Sequence, residues 1–183
     1  MKEQLISKKI LNWYDFNKRL LPWRKNFSLQ KRQYYTLVSE FMLQQTQVAT
    51  VIPYFDKFVK EIPNIKKLAT VDNKKLIKLW EGLGYYSRAR NLKKAAQFVI
   101  RKFNGKIPDN FDDLKSLPGI GDYTANAILA IAFNKPYIPL DGNVERILKK
   151  YLYIKKENEI QKENLIEKKS VLGFSNRSSD YAQ

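Results

Sequence analysis

Leu117-Pro118-Gly119-Ile120-Gly121 stands between two segments with helical spacing and is the most informative motif for the fold of this chain. Pro118 stops the first helix, because its nitrogen carries no hydrogen to donate. We expect Gly119 and Gly121 to take positive φ angles in a tight turn, where another backbone can approach closely. The helix that opens near Asp122 then begins with free N–H groups, a geometry that binds phosphate. The stretch predicts a helical hairpin with an anion site, and an ordinary turn between two helices is the alternative.

The rest of the chain also has the spacing of helices. One apolar stripe near the start consists of Ile6, Ile10, Trp13 and Phe16. A later helix is predicted to end at Pro63. Another is expected to have Ser87 as its N-cap and to close at Gly105. No stretch alternates in the manner of a strand, so we predict an all-α protein of about eight or more short helices.

The composition limits the chemistry. The 183 residues include 34 Lys and Arg against 18 Asp and Glu, a formal net charge of +16. This charge favours a polyanionic partner, with nucleic acid first. The chain contains neither Cys nor His, which excludes a disulfide scaffold, a zinc finger, a thiol nucleophile and a Ser-His-Asp triad. Acid–base chemistry must therefore use carboxylates, Lys, Tyr or water.

No membrane segment is expected. The polar, basic start is not followed by the apolar core of a signal peptide. No run of about 18 apolar residues exists that could span a bilayer. We therefore expect a soluble, cytoplasmic protein with no membrane partner.

Glu40 lies in a helix whose other residues are mostly apolar, with a Leu three residues away on either side. Desolvation there would raise the pKa of its carboxyl group, as a general acid requires. A partly exposed glutamate on a helix surface is the alternative. Gln44, Gln45 and Gln47 follow on the same segment, and their flexible amides suit base edges or a gap in a base stack.

Asp141 follows the extended segment 136–140 and precedes another helix. This position favours a helix N-cap. A carboxylate there could also stabilise a developing positive charge, and the two roles are compatible.

The stretch from Gly82 to Asn91 combines a loop with two glycines, two tyrosines and two arginines. Tyr85 and Tyr86 beside Arg88 and Arg90 fit base stacking and phosphate contact. Either tyrosine could instead belong to the core.

Taken in order, these segments resemble the helix-hairpin-helix DNA glycosylase superfamily, and within it the MutY-type adenine DNA glycosylases. The motifs that carry the resemblance are 21–24 (LPWR), 39–48 (SEFMLQQTQV), 82–86 (GLGYY), 117–121 (LPGIG) and 140–144 (LDGNV). The match runs from about Ile10 to about Tyr153. It implies two helical lobes with the active site in the cleft between them. A terminal lobe would comprise 1–25 and 142–183, and a six-helix domain would comprise 26–141, with the hairpin at about 112–133.

The resemblance also implies an activity. Such a protein is a monofunctional glycosylase of base excision repair that hydrolyses the N-glycosidic bond of adenine paired with 8-oxoguanine or guanine, after the adenine has been flipped out of the duplex. It would act as a monomer on double-stranded DNA. Glu40 resembles the acid that protonates the adenine ring, and Asp141 resembles the carboxylate that stabilises the oxocarbenium-like sugar. Tyr123 and Asn143 match positions that support these groups.

Further roles carry over to the base pocket and the DNA contacts. Arg24 and Gln44 are assigned to the base pocket, and Gln45 and Tyr85 match residues that wedge into the duplex. The remaining DNA contacts are expected at Gln47, Tyr86, Arg88, Arg90, Leu117, Gly119 and Gly121. Backbone carbonyls of the hairpin commonly hold a monovalent cation in this superfamily, so such a cation is expected as a possible ligand.

The sequence departs from the family in three places. Endonuclease III-type enzymes carry a Lys two residues after the second Gly of the hairpin, where this chain has Tyr123. The family usually holds a [4Fe-4S] cluster on four Cys and adds a domain that recognises 8-oxoguanine. No cofactor is expected within these Cys-free residues, and 180–183 resembles the opening of the helix that leads to the cluster, which indicates a truncated chain. Residues 155–169 are predicted to form an exposed helix.

Two alternatives remain open for the function. One is a helix-hairpin-helix DNA-binding fragment without catalysis. The other is an endonuclease III-type bifunctional glycosylase and lyase.

Overall fold

A computed structural model describes residues 2–151 and 177–182. Every regular element in these residues is helical, so the all-α prediction is confirmed. The helices are α1 (Lys2–Asn17), α2 (Leu29–Leu43), α3 (Val48–Glu61), α4 (Ile65–Thr70), α5 (Asn73–Trp80), α6 (Ser87–Phe103), α7 (Phe111–Lys115), α8 (Asp122–Phe133), α9 (Gly142–Tyr151) and α10 (Ser178–Tyr181), with a 3₁₀ turn at Pro22–Arg24. The predicted helix at 155–169 lies outside the described residues. None of the described helices is long and apolar enough to cross a membrane.

The core is built around α2 and α8, which pack against each other. Every residue of α2 from Tyr34 to Met42 is buried, and α8 is buried from Thr124 to Ala130. A helix that is buried all round belongs at the centre of a domain. The alanines of α8 have little volume, so the two helices can lie close together. As a result, Glu40 of α2 and Tyr123 of α8 reach the same region of the molecule.

An aromatic cluster holds the 3₁₀ turn against the core. The rings of Trp23 and Phe55 meet edge to face with centroids 5.1 Å apart, and Phe55 and Tyr35 meet in the same way at 5.2 Å. Such pairs add to the free energy of burial and fix the orientation of the rings. Because Trp23 is buried, its neighbour Arg24 is held at a defined place beside α2.

Several helix ends follow the sequence signals and one does not. α3 ends at Glu61, just before Pro63, as predicted. α6 ends at Phe103, and Gly105 follows with φ of +79°. Ser87 is the first residue of α6 and not its cap. Tyr86 occupies the cap position in a helical conformation, so the Ser87 side chain is one residue too late to accept the capping bond.

Only part of the apolar surface of α1 is buried. Leu11 and Tyr14 are buried, whereas Ile10, Trp13 and Phe16 are 40%, 64% and 90% exposed. α1 therefore presents two apolar stripes about 100° apart, and the described residues cover only the second. The spacing of Ile6, Ile10, Trp13 and Phe16 predicted the helix correctly, but spacing alone does not identify which of two apolar stripes is packed.

The two ends of the described chain meet. α10 contacts α1 and α8. The Arg177 guanidinium pairs with Asp15 of α1 and with Asp180, and the Ser179 hydroxyl donates a 3.1 Å hydrogen bond to the carbonyl of Ile131. The helical prediction for the last residues is confirmed at 178–181. The division into the lobes 1–25 with 142–183 and 26–141 stays a prediction.

Candidate active site

A pocket of about 620 Å³ brings together residues that are distant in the sequence. It is lined by Glu40, Leu43, Gln44, Gln45, Tyr85, Ser87, Arg88, Tyr123, Leu140 and Asp141. The lining thus draws on α2, on the loop before α6, on the start of α8 and on the start of α9. Motifs that are far apart in the sequence therefore form one site.

Glu40 is the buried acid of this pocket. Its side chain is 8% exposed. Burial raises the pKa of the Glu40 carboxyl group to about 7, because the charged form loses its contact with water, and the positive charge of Arg24 partly opposes this shift. The expectation of a desolvated carboxyl in α2 is confirmed.

Arg24 and Tyr123 complete the electrostatic surroundings of Glu40. Burial, followed by the negative charges of Glu40 and Asp141, raises the pKa of the Tyr123 phenol to about 12. Burial lowers the pKa of Arg24, and Tyr14 and Glu40 partly restore it. Arg24 lines a second cavity, of about 370 Å³, so it acts on Glu40 through its charge from outside the pocket lining.

Asp141 lies at the pocket rim and caps α9. Its Oδ1 atom accepts hydrogen bonds from the backbone N–H groups of Asn143, at 3.0 Å, and Val144, at 2.7 Å. The N-cap prediction is confirmed. The side-chain oxygen of Asn143 accepts a 2.8 Å bond from Arg146, and Asn143 is not among the residues that line the pocket, so its supporting role stays a prediction.

The two glycines of the hairpin differ. Gly119 has φ of +83°, and a Cβ atom there would lie 2.8 Å from both Asn91 Cβ and Phe41 Cε1. This position therefore requires glycine. Gly121 has φ of −95° and open space around it, so the expectation of a positive φ was wrong. Its extended conformation is the ordinary one for the residue before a helix, since the turn is already completed at Gly119.

Leu117 and Arg88 lie inside the protein and not on the surface where we expected DNA contacts. The Leu117 side chain is 2% exposed and belongs to the core. Arg88 is 6% exposed, and its guanidinium donates to main-chain carbonyls of α2 and of the loop before α6. The signal was present in the sequence, because Arg88 shares its helix face with the apolar Leu92 four residues later.

The remaining predicted contacts lie at or near the surface. Gln45, Gln47, Tyr85 and Arg90 are exposed and Tyr86 is half-buried. Gln45 and Tyr85 both line the pocket and both have left-handed backbones, with φ of 57° and 46°. Their roles as DNA contacts stay predictions. Ser87 also lines the pocket, and its only sequence signal for this place is that it follows the two tyrosines.

The donor set of this chain does not fit an iron–sulfur cluster, because a cluster of that kind needs Cys thiolates and the sequence has none. Within the described residues, no group of three or more acidic side chains could hold a metal ion. The monovalent cation at the hairpin stays a prediction. Two of the carbonyls there, those of Leu117 and Gly119, accept hydrogen bonds from the Ile120 N–H and the Gln44 side chain.

Comparison with known proteins agrees with this fold. The family described as "HhH-GPD superfamily base excision DNA repair protein" matches residues 38–171. This chain therefore belongs to the helix-hairpin-helix superfamily of base excision repair proteins. Among curated relatives, the adenine DNA glycosylase of Buchnera aphidicola subsp. Baizongia pistaciae is 48% identical over 151 residues, which are 82% of this chain and 42% of that protein. The adenine DNA glycosylase of Rattus norvegicus is 45% identical over 148 residues, 78% of this chain and 29% of that protein.

The chain thus spans less than half the length of these relatives. Solved structures share the fold at lower identity. A thermostable thymine-DNA glycosylase superposes with a TM-score of 0.82 at 24% identity, over 99% of this chain and 83% of that one. An endonuclease III in a non-covalent complex with DNA superposes with a TM-score of 0.72 at 22% identity, over 100% of this chain and 83% of that one.

Proposed function

We propose that this chain is the catalytic part of an adenine DNA glycosylase. It hydrolyses the N-glycosidic bond of adenine paired with 8-oxoguanine or guanine in double-stranded DNA. The observation that carries the proposal is a pair of carboxyl groups on one pocket: Glu40, buried with a pKa of about 7, and Asp141, exposed at a helix N-terminus. Relatives at 45–48% identity that are named adenine DNA glycosylase support the same substrate.

Glu40 supplies the proton. Adenine is a poor leaving group until a ring nitrogen is protonated, so catalysis requires a carboxyl that still holds its proton near neutral pH. A carboxyl with a pKa of about 7 meets this requirement. Arg24 keeps that pKa from rising further, so that Glu40 can also release the proton to the base.

Asp141 supports the sugar. As the bond to the base lengthens, positive charge develops on the deoxyribose, and a nearby carboxylate stabilises it or bonds to it transiently. Asp141 suits this role because its position at the rim is open to water and the N–H groups of α9 hold its carboxylate in place. Water then adds to the sugar carbon and gives up one proton, which restores the acid form of Glu40 directly or through solvent, and free adenine and an abasic site result. Neither His nor Cys is needed.

The DNA reaches the pocket by losing a base from its stack. The reacting atoms of adenine are inaccessible in a duplex, so the nucleotide must be extruded. Gln45 and Tyr85, exposed at the rim, fill the gap that it leaves. The hairpin around Gly119 and the start of α8 bind the phosphate backbone through N–H groups. The protein releases adenine as a monomer in the cytoplasm.

The enzyme is monofunctional. Endonuclease III-type lyases, which this chain also resembles, use a Lys amine at the position of Tyr123 to form a Schiff base with the sugar. A phenol carries no amine nitrogen and so forms no Schiff base. Borohydride should therefore trap no covalent complex with DNA. A stoichiometric trapped complex that disappears when one Lys is changed contradicts this assignment.

A single-turnover assay on duplexes with adenine opposite 8-oxoguanine, followed by alkali, tests the proposal. We expect strand breaks at the adenine, lost in Glu40→Gln and Asp141→Asn while both variants still bind the duplex. Tight binding by the unaltered chain with no adenine release identifies a DNA-binding fragment without catalysis and refutes the proposal.

A further inference from the structure

We propose that Arg88 is a positioning residue that holds the two wedge residues, Gln45 and Tyr85, in fixed positions beside the catalytic pocket. The inference rests on the proposed function, because it assigns the reason for which an arginine is buried next to the site. It replaces the phosphate contact that the sequence predicted for this side chain.

The guanidinium of Arg88 joins two separate segments. Nη1 donates to the carbonyls of Phe41 at 3.3 Å and Met42 at 2.8 Å and also to that of Gln44, all at the C-terminal end of α2. Nη2 donates to the carbonyls of Leu83, at 3.0 Å, and Gly84, at 3.2 Å. A positive charge at the carbonyl end of a helix is favourable. One side chain thus binds the end of α2 and the loop before α6 together.

Each segment carries a wedge residue directly after a carbonyl that Arg88 binds. Gln45 follows Gln44, and Tyr85 follows Gly84. Both have a positive φ, of 57° and 46°, a conformation that disfavours residues with a Cβ atom. Such residues persist only when their surroundings impose the conformation. The Arg88 ring contact with Tyr85, 5.4 Å from the guanidinium carbon to the ring centroid, adds a direct constraint.

The same end of α6 also supports the hairpin. Asn91, one turn after Arg88, lies against Gly119, and the Gln44 side chain donates a 3.3 Å bond to the Gly119 carbonyl. The segment after α2, the loop before α6 and the hairpin therefore meet at the first two turns of α6. All three face the DNA in the proposed function. A shift of Arg88 would move Gln44, and with it the wedge and the contact to the hairpin.

Charge alone does not explain the site. Burying a guanidinium is costly, and the buried Nε of Arg88 has no hydrogen-bond partner among the described residues. A planar fork with separate donors can serve two segments at once, which the single ammonium of a lysine does poorly. The arrangement is thus specific for arginine.

The first experiment uses the free protein. Hydrogen exchange should accelerate together at the Thr46 and Leu83 amides in Arg88→Met, by about tenfold or more, since charge-assisted bonds are lost on both sides. Arg88→Lys should show a smaller increase at both amides and serves if Arg88→Met does not fold. The matched control is Arg101→Met, which removes the same charge from the exposed side of α6 about 20 Å away. Unchanged exchange in Arg88→Lys, or acceleration at only one amide, overturns the proposal.

The second experiment measures how far the protein unstacks the bases beside the mispaired adenine, which is the role proposed for Gln45 and Tyr85. A duplex with 2-aminopurine beside the mispaired adenine becomes fluorescent when its bases are unstacked. In a Glu40→Gln background at saturating protein, Arg88→Met should lose most of the fluorescence increase and Arg101→Met should keep it. An increase that survives in Arg88→Met overturns the positioning role. Neither measurement needs adenine release. An unaltered chain that releases no adenine therefore refutes the proposed function, whereas the role of Arg88 is tested separately by the exchange and fluorescence results.

Discussion

At the level of single residues, the protonation of Glu40 is expected to set the pH dependence of the proposed reaction. The acid must hold a proton, and its pKa lies at about 7. We expect the single-turnover rate constant for adenine release to fall about tenfold for each pH unit above 7. Rapid-quench measurements from pH 5 to pH 9 check this. A rate that still rises at pH 8 contradicts the assignment of Glu40 as the acid.

The same carboxyl affects stability, and the sign follows from its two pKa values. Folding raises the pKa from 4.5 to about 7, so between these values the folded protein binds more protons than the unfolded chain. Its free energy of unfolding therefore decreases as the pH rises through this range, by about 3 kcal/mol in total. Glu40→Gln lacks this ionisation. Urea titrations should show the variant gaining stability over the unaltered protein at pH 8 but not at pH 4.5.

Asp141 combines a cap with a charge, and two substitutions separate these roles. Asp141→Asn keeps an oxygen that can accept from the N–H groups of α9, whereas Asp141→Ala loses it. We expect Asp141→Ala to lower the free energy of unfolding by about 1 kcal/mol and Asp141→Asn to change it little. Both should lose adenine release, since only the charge stabilises the sugar. Substantial activity in Asp141→Asn would assign the residue to the cap alone.

At the scale of elements, the hairpin depends on one glycine. Gly119→Ala introduces a Cβ atom 2.8 Å from Asn91 and Phe41 at a positive φ. We expect the substitution to lower the free energy of unfolding by about 1–3 kcal/mol and to weaken binding to duplex DNA. Gly121→Ala is the matched control for stability, because its φ is ordinary and the space around it is open. Equal destabilisation by both would show that the turn does not depend on Gly119.

The elements also show what a sequence can predict. The cap at Asp141 and the end of α3 before Pro63 depend on residues within one turn, and local pattern predicted both. The apolar residues one turn before and after Glu40 also indicated its desolvation, although the burial itself comes from the packing of α2 against other helices. Arg88 and the exposed stripe of α1 depend on which elements pack together. From the sequence, Arg88 after two tyrosines is interpreted as a surface contact. Only the fold shows that α2 ends beside it. The conformation of Gly121 was missed because one glycine already completes the turn.

At the scale of the whole molecule, the charge of +16 has to be separated into a part that meets DNA and a part that is only solvated. Surface charge supplies most sequence-independent binding, and each phosphate contact adds about 0.9 to the slope of affinity against salt on logarithmic axes. The candidate pocket and the hairpin lie at the N-terminal ends of α6 and α8. The exposed Arg90 lies near that end of α6, whereas Arg101 lies in its last turn.

This arrangement predicts a difference between two arginines of one helix. For undamaged duplex DNA, Arg90→Met should reduce the salt slope by about 0.9, because one phosphate contact is lost. Arg101→Met removes the same charge about 16 Å further along α6 and should leave the slope unchanged. Fluorescence anisotropy from 50 to 200 mM salt measures both. Equal effects of the two substitutions would mean that the net charge attracts DNA without a defined binding face. The surface around the pocket would then not be the DNA-binding surface.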